Sequence, residues 1–513
     1  MKRSNDFFDM FYQSVANRPE SIAVKYKSQK ITYKELASAV FSLSKDLLRN
    51  IPANHNVPVL IYQNRGIGFI VSMLAVLNVG AYYIPIERST PYERVQRICE
   101  QIKPRIVLVD DDTVRDELYF SCQLLKWNGV ENCTDFIRIN RGETDLAYIM
   151  FTSGSSGVPK GIKISYGNLC NLVSGFYDVL YYEFSSSINI GMISSFSFDA
   201  SVKMIFPALA YGHTLVIAQE NVRYFGRNIH HFHNENNILV CDGTPTHLSL
   251  MIAQKTDVFS MAEYFLIGGE RLEYELLQSF CQLLKRTPTI INVYGPTECC
   301  VDVSYKRVRE IDIKQQTGVV PVGKAMPNNV LEIRTKRGKL IRRKNEKGEL
   351  WIRGKQVGCG YIDGEMRGFV FDKEKLTRAY RTGDVAFYND NYEVVVLGRM
   401  DRQVKINGNR VELDEISSVI KQKEECAMAT VELIQDGNRQ ILVAFIVVNS
   451  RGKLSERDLT NHVISKLPPY MIPRKYVFLN EIPFTKQGKI DHRCLERIYM
   501  LSKREGDFFG TQE

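Results

Sequence analysis

Short apolar, β-branched runs alternate with amphipathic, helix-like segments over the first three-fifths of the chain, and this rhythm constrains the fold more than any other feature. Val57-Pro-Val-Leu-Ile61 and Arg105-Ile-Val-Leu-Val109 are two such runs, and others fall near 188–194, 213–218, 238–241 and 289–293. Strands separated by helix-length segments pair in parallel, because a tight hairpin cannot span the gap. The pattern therefore predicts an α/β fold with parallel sheets. From about 320 to 400 it changes to short strands punctuated by glycine turns, as in Gly348-Glu-Leu-Trp-Ile-Arg-Gly354, which predicts a β-rich subdomain. Beyond Asp401 lies a compact mixed segment. The expected organisation is a large N-terminal domain, residues 1–401, of two α/β layers plus the β-rich subdomain. A small α+β C-terminal lid domain, residues 402–513, follows it.

Ile67 to Ile86, IGFIVSMLAVLNVGAYYIPI, approaches the length of a membrane span. Asn78, Gly80 and Pro85 interrupt it, so it reads as a buried helix over 67–79 that turns at Gly80 into a strand. No membrane span is expected, and the N-terminus lacks an apolar core of signal-peptide length.

Thr152 to Gly161, TSGSSGVPKG, follows the apolar run Ala147 to Phe151. Gly154 and Gly157 let backbone N–H groups converge; Ser153, Ser155 and Ser156 add donors and Lys160 adds charge, a combination suited to polyphosphate. Its spacing is not that of a Walker A loop, GxxxxGK[ST], which disfavours a P-loop NTPase. By composition alone a Ser/Gly stretch is more often a flexible linker.

Eleven cysteines, odd in number and irregularly spaced, argue against a disulfide framework, and the adjacent pair Cys299-Cys300 is no zinc motif. A reduced, cytoplasmic setting fits. The net charge of +9 is spread along the chain. Its densest basic patch, Arg334 to Lys347, contains Gly338 and alternates with apolar residues, as a solvated hairpin would. No nucleic-acid module accompanies it, so nucleic acid is not an expected partner, and a mildly basic surface would suit an acidic partner protein equally well.

Taken together, the motifs resemble those of the adenylate-forming superfamily, specifically the amino-acid adenylation domains of nonribosomal peptide synthesis. The motifs occur in the family's order: ITYKEL at 31–36, LNVGAYYIPI at 77–86, TSGSSGVPKG, and NVYGPTE at 292–298. GELWIRGKQVGCGY at 348–361, YRTGDVA at 380–386, LGRMDRQVKINGNRVELDEI at 397–416, LPPYMIP at 467–473 and PFTKQGKID at 483–491 complete the set.

The resemblance implies ATP and Mg2+ as cofactors and assigns roles. Thr152, Ser153, Gly154, Ser155, Ser156, Gly157 and Lys160 would hold phosphates. Tyr294, Gly295 and Thr297 would lie beside the nucleotide, with Tyr294 stacked on adenine. Asp384 would accept from the ribose hydroxyls, and Arg399 would help fix the nucleotide. Glu298 would be the magnesium-linked carboxylate. Lys489 would bridge the substrate carboxylate and the reacting phosphate, where charge builds up. Asp401 would be the hinge between two lid positions, one presenting Lys489 for adenylation and the other the Lys405 to Gly408 loop for thioester formation. At Val396 the chain departs from relatives that carry an aromatic near the base.

The resemblance also places a substrate pocket at Asp199, Ala200, Lys203, Asp242, Leu266, Gly268, Val293, Val301, Asp302 and Lys489. Asp199 would anchor an α-ammonium group; read in isolation it is a helix N-cap. Lys203 stands where many relatives carry a large apolar residue, and a lysine lining a small pocket must find an anion. The set is similar to that of glutamate-activating domains, so a side-chain carboxylate is the first candidate. Asp242 or Asp302 could instead neutralise Lys203, which would admit glutamine, aspartate or a substituted glutamate. No carrier attachment motif occurs in the chain, so the phosphopantetheinylated carrier protein is expected in trans. A D-alanine–carrier protein ligase and a coenzyme A ligase are the competing enzyme readings, and a catalytically silent carrier-binding scaffold is the non-enzymatic one.

Overall fold

The computed structural model describes residues 4–51, 56–110, 122–127, 129, 138–153, 159–254, 259–284, 287–372, 377–401, 403–406, 408–436, 439–449, 454–484 and 490–504. The chain divides into two compact units. The first comprises Met1–Ser89, Gln101–Phe151 and Gly161–Met400; the second comprises Thr90–Glu100, Thr152–Lys160 and Asp401–Glu513.

The first unit is α/β. One of its sheets has six strands in the order Gln123–Lys126, Ile106–Val109, Pro58–Gln63, Tyr82–Glu87, Leu146–Thr152 and Lys160–Ser165. Its inner pairs are parallel, as the strand spacing requires. The apolar run from Ile67 forms the helix Ile67–Asn78, in which every residue but Gly68 is buried. A helix apolar on all sides suits full burial, and among the described residues no helix is long and apolar enough to cross a membrane.

The second sheet has nine strands, ordered Lys324–Ala325, Ser304–Val308, Thr289–Tyr294, Tyr264–Ile267, Ile238–Gly243, Asn189–Met192, Thr214–Ile217, Ile22–Tyr26 and Gln29–Thr32. Its six central strands run parallel, and antiparallel pairs close both edges. Asn189–Met192 has the next strand of the chain, Thr214–Ile217, on one side and the one after it, Ile238–Gly243, on the other. The crossovers therefore diverge there, and the crevice at the carboxyl ends of such strands is where open α/β sheets bind ligands.

The β-rich part is a six-stranded antiparallel sheet. Asn329–Arg334 and Leu340–Ile341 form the hairpin expected of the basic patch. Val394–Arg399 lies on the long strand Thr377–Tyr388 with Asp384 directly opposite Arg399.

In the second unit, Gln403–Ile406 and Asn409–Glu412 form a hairpin turned at Gly408, φ 77°. Cys426–Asp436, Arg439–Val448 and Lys475–Phe478 form a three-stranded sheet. The helix Leu413–Ile420 packs Ile416, Val419 and Ile420 with Val431 and Leu459 in the unit's core. Two acid–base contacts join its chain segments: Arg94 to the buried Glu415 at 3.1 Å, and Lys466 to Glu93 at 2.8 Å.

Candidate active site

The residues expected to line a substrate pocket gather, in the first unit, at the carboxyl edge of the nine-stranded sheet. Asp242 and Leu266 are direct partners across neighbouring strands, and Leu266 is in turn opposite Ile291, two residues before Val293. Gly268 follows its strand closely; a Cβ there would meet Val293 O at 2.6 Å, so this approach requires glycine. Asp242 is buried at the sheet's divergence point, where its carboxylate accepts from Ile193 N–H at 2.8 Å and Ser194 N–H at 3.1 Å.

The helix Ala200–Ala210 supplies the facing side. Asp199 sits at its N-cap, yet its carboxylate makes no capping hydrogen bond. Ala200 opens the helix and Lys203, one turn on, is buried. Lys203 Nζ lies 3.2 Å from Asp302 Oδ2, with side-chain exposures of only 4% and 6%. Of the two acids that could neutralise Lys203, Asp302 is therefore the one in contact, while Asp242 is occupied by backbone donors. The contact is electrostatic without hydrogen-bond alignment, since Asp302 Oδ2 has no hydrogen-bond partner. The charge of Lys203 is balanced, and its N–H groups are not spent on that oxygen.

Tyr294 ends the strand Thr289–Tyr294, and its hydroxyl donates to Asp384 Oδ2. Arg399 Nη1 reaches Asp384 Oδ1 at 3.3 Å, and Thr382 Oγ1 accepts from Asp384 N–H at 3.0 Å. Each Asp384 oxygen thus has a protein donor while keeping a lone pair for a further one. Burial, reinforced by the Asp384 charge, holds the Tyr294 phenol well above its ordinary range. Gly295 and Thr297 continue into a short helical turn, Thr297–Cys299, which carries Glu298. Glu298 is fully buried and accepts from the Tyr361 hydroxyl at 2.7 Å. Burial also raises the neighbouring Cys299 and Cys300 thiols, so neither is poised as a nucleophile.

Apart from Val301, which lies in the first unit between Cys300 and Asp302, the remaining expected residues belong to the second unit. Ser153 Oγ donates to Arg410 O at 2.8 Å and accepts from Glu412 N–H at 3.1 Å. Thr152 and Lys160 flank the loop at strand ends, Lys405 lies on the strand Gln403–Ile406, and Gly408 forms the following turn. Asp401 opens the unit's longest segment, and its Oδ1 accepts from Gln403 N–H at 3.3 Å. Gly154, Ser155, Ser156, Gly157 and Lys489 lie outside the described residues. Tyr361 and Thr382 were not singled out from sequence, although both lie within recognised motifs.

Among the described residues no group of three or more His, Cys, Asp or Glu could hold a metal. A single buried carboxylate such as Glu298 is nonetheless compatible with Mg2+, which takes one or two carboxylates and completes its shell with phosphate oxygens and water.

Residues 11–362 match the AMP-binding enzyme family, and residues 415–489 match the AMP-binding enzyme C-terminal domain. The chain belongs to the AMP-binding enzyme family. As a member it is similar to surfactin synthase subunit 1 of Bacillus subtilis (strain 168), 32% identical over 95% of this chain but only 14% of that protein. It is also similar to the D-alanine--D-alanyl carrier protein ligase of Staphylococcus haemolyticus (strain JCSC1435), 29% identical over 95% of this chain and 98% of that protein. The fold matches that of the Vibrio cholerae adenylation domain AlmE, solved in complex with glycyl-adenosine-5'-phosphate. The TM-score is 0.84 at 23% identity, over 98% of this chain and 99% of that one. The chain spans a small fraction of the first two curated relatives, 14% and 9% of their lengths.

Proposed function

We propose that this AMP-binding enzyme uses ATP to adenylate an α-amino acid, L-glutamate, and passes the aminoacyl group to the phosphopantetheine thiol of a separate carrier protein. The observation that carries the substrate assignment is the buried Lys203 at the carboxyl edge of the sheet. A buried ammonium that makes no hydrogen bond to its counter-ion favours a ligand oxygen, and a carboxylate is the strongest acceptor it can meet. Asp302 already balances its charge, which makes L-glutamine the principal competitor. Asp199, at the N-cap of the helix Ala200–Ala210, would receive the α-ammonium group.

In the first half-reaction a substrate carboxylate oxygen attacks the α-phosphorus of ATP, forming the acyl–phosphate bond as the bond to pyrophosphate breaks. The carboxylate is already ionised at neutral pH, so no base is needed. Charge balance is the catalytic problem, and Lys489 would meet it at the reacting oxygens. Asp384, held by Tyr294 and Arg399, would accept from the ribose hydroxyls. Glu298, held by Tyr361, would be the protein ligand of Mg2+, which when bound offsets phosphate charge. In the second half-reaction a thiolate attacks the acyl carbon and AMP leaves, with the Lys405–Gly408 turn presented in place of Lys489.

A D-alanine–carrier protein ligase is the second reading, favoured by the match over 98% of the length of such a ligase. Lys203 and Asp242 are poorly suited to a methyl side chain. Amino-acid-dependent ATP–pyrophosphate exchange, run over the proteinogenic acids and both enantiomers of glutamate and alanine, separates the two. Exchange with L-glutamate well above glutamine and aspartate is expected. A D-alanine maximum would establish the second reading, and silence with every acid would overturn both.

A further inference from the structure

The turn after Glu298 is held in a conformation that side chains rarely adopt. Cys300 has φ 51° and ψ 64°, and Val301 has φ 73°. Asp302 N–H donates to Cys300 O at 3.1 Å, closing a three-residue γ-turn on Val301. A γ-turn of this sense is rare and strained, and a β-branched residue at positive φ is a steric outlier. Such strain persists only where the surroundings over-determine it, and it clusters at ligand clamps.

The surroundings here are identifiable. An added Cβ on Gly295 would meet Val301 O at 2.2 Å, so the turn lies against bare backbone. Gln356 is fully buried, and its Nε2 donates to Cys300 O at 3.2 Å and to Asp302 O at 3.4 Å, the carbonyls on either side of Val301. Its Oε1 accepts from Asn171 Nδ2, and Asn171 Oδ1 accepts from Asn328 Nδ2 at 2.8 Å. Gln356 N–H donates to Asn329 Oδ1 at 3.0 Å. Asn168 Nδ2 holds the flanking carbonyls of Lys355 at 2.6 Å and Val357 at 3.2 Å. Asn168 and Asn171 are three residues apart on the helix Tyr166–Val179, so one helix face anchors the whole chain of amides.

We propose that Gln356 is a positioning residue for side-chain selectivity: its carboxamide clamps the strained Cys300–Asp302 turn and thereby sets the Asp302 carboxylate against Lys203. The proposal rests on the reading of Lys203 and Asp302 as pocket residues of an amino-acid-adenylating enzyme. Gln356 acts through the turn and not through the substrate.

Exchange kinetics of Gln356→Ala, Val301→Gly and the double variant test it. In the wild-type background Gln356→Ala should raise the KM for the amino acid on the order of ten-fold, lower the preference for glutamate over glutamine comparably, and leave the KM for ATP unchanged. In the Val301→Gly background the same change should alter the KM by less than about three-fold, because glycine takes positive φ without strain. Equal effects in the two backgrounds, or an unchanged preference, would overturn the proposal. If Gln356→Ala fails to fold, Gln356→Met, similar in size and without donors, carries the same expectations. Crystal structures of the substrate-free variants separate this proposal from the functional reading. Relaxation of Val301 to negative φ with opening of the Lys203–Asp302 contact supports the clamp whatever the enzyme activates, and an unchanged turn refutes it. Absence of exchange in the wild type would count against the functional reading alone.

Discussion

Lys203 Nζ and Asp302 Oδ2 stand 3.2 Å apart, both side chains buried, an ion pair closed between a helix and a strained turn. Removing one partner of such a pair leaves an uncompensated buried charge. Asp302→Asn should therefore destabilise the protein by about 3–5 kcal/mol. Saturating L-glutamate should restore part of the lost melting temperature, and L-glutamine should restore less. Lys203→Gln should move the exchange preference from glutamate toward glutamine by at least about ten-fold. Thermal denaturation and exchange kinetics measure both, and an unchanged preference would mean that Lys203 serves the protein's interior and not its ligand.

Tyr361→Phe deletes a hydroxyl that donates to the buried Glu298 while preserving the ring's packing against Phe369. The loss of one donor should cost about 1–3 kcal/mol of stability. If Glu298 is the Mg2+ carboxylate, the Mg2+ concentration for half-maximal exchange should rise several-fold with little change in the KM for the amino acid. A Mg2+ dependence identical to that of the wild type would leave Tyr361 a purely structural residue.

Lys489→Ala should lower adenylate formation by about two to three orders of magnitude while ATP binding is retained. Lys405→Ala should spare pyrophosphate exchange and slow transfer to the carrier thiol. Exchange assays and single-turnover loading of a phosphopantetheinylated carrier distinguish the two steps. Near-normal exchange in Lys489→Ala would remove that residue from the chemistry.

Stability should fall on mild acidification. Burial depresses His213 to about 4 and His233 to about 3, whereas both titrate near 6.5 once unfolded. Between those values the unfolded chain binds more protons than the folded one, so stability is full above about pH 6.5 and declines as pH drops toward 4. Each histidine should cost on the order of 2 kcal/mol at pH 5. Denaturant titrations at pH 7 and pH 5 check this; His233→Asn, which can keep a bond to Ser260, should flatten the pH dependence.

Local pattern made much of the architecture legible. The runs at 57–61, 105–109, 213–218 and 289–293 form strands at or within a residue or two of their expected places, because period and β-branching act over a few residues. Tyr264–Ile267 was not anticipated: four residues without turn signals on both sides carry too little pattern. The two-stranded edge Ile22–Tyr26 and Gln29–Thr32 joins the sheet beside Thr214–Ile217, a partner distant in sequence. Thr90–Glu100 and Thr152–Lys160 likewise fall in a compact unit with Asp401–Glu513. Gln356 escaped notice because an amide in a strand-to-loop motif has no signature of its own; its meaning comes from the carbonyls it meets.

The sequence by itself determined the family and the α/β class and nominated the residues for the nucleotide and the acid, because these are carried by short motifs whose chemistry is local. Only the tertiary structure decided how those residues are paired. Lys203 could have faced Asp242, Asp302 or neither; register between two parallel strands gave Asp242 to backbone N–H groups, and the turn that carries Asp302 brought it to Lys203. Charge compensation depends on distances of a few ångströms between residues some hundred positions apart, and only packing sets those distances.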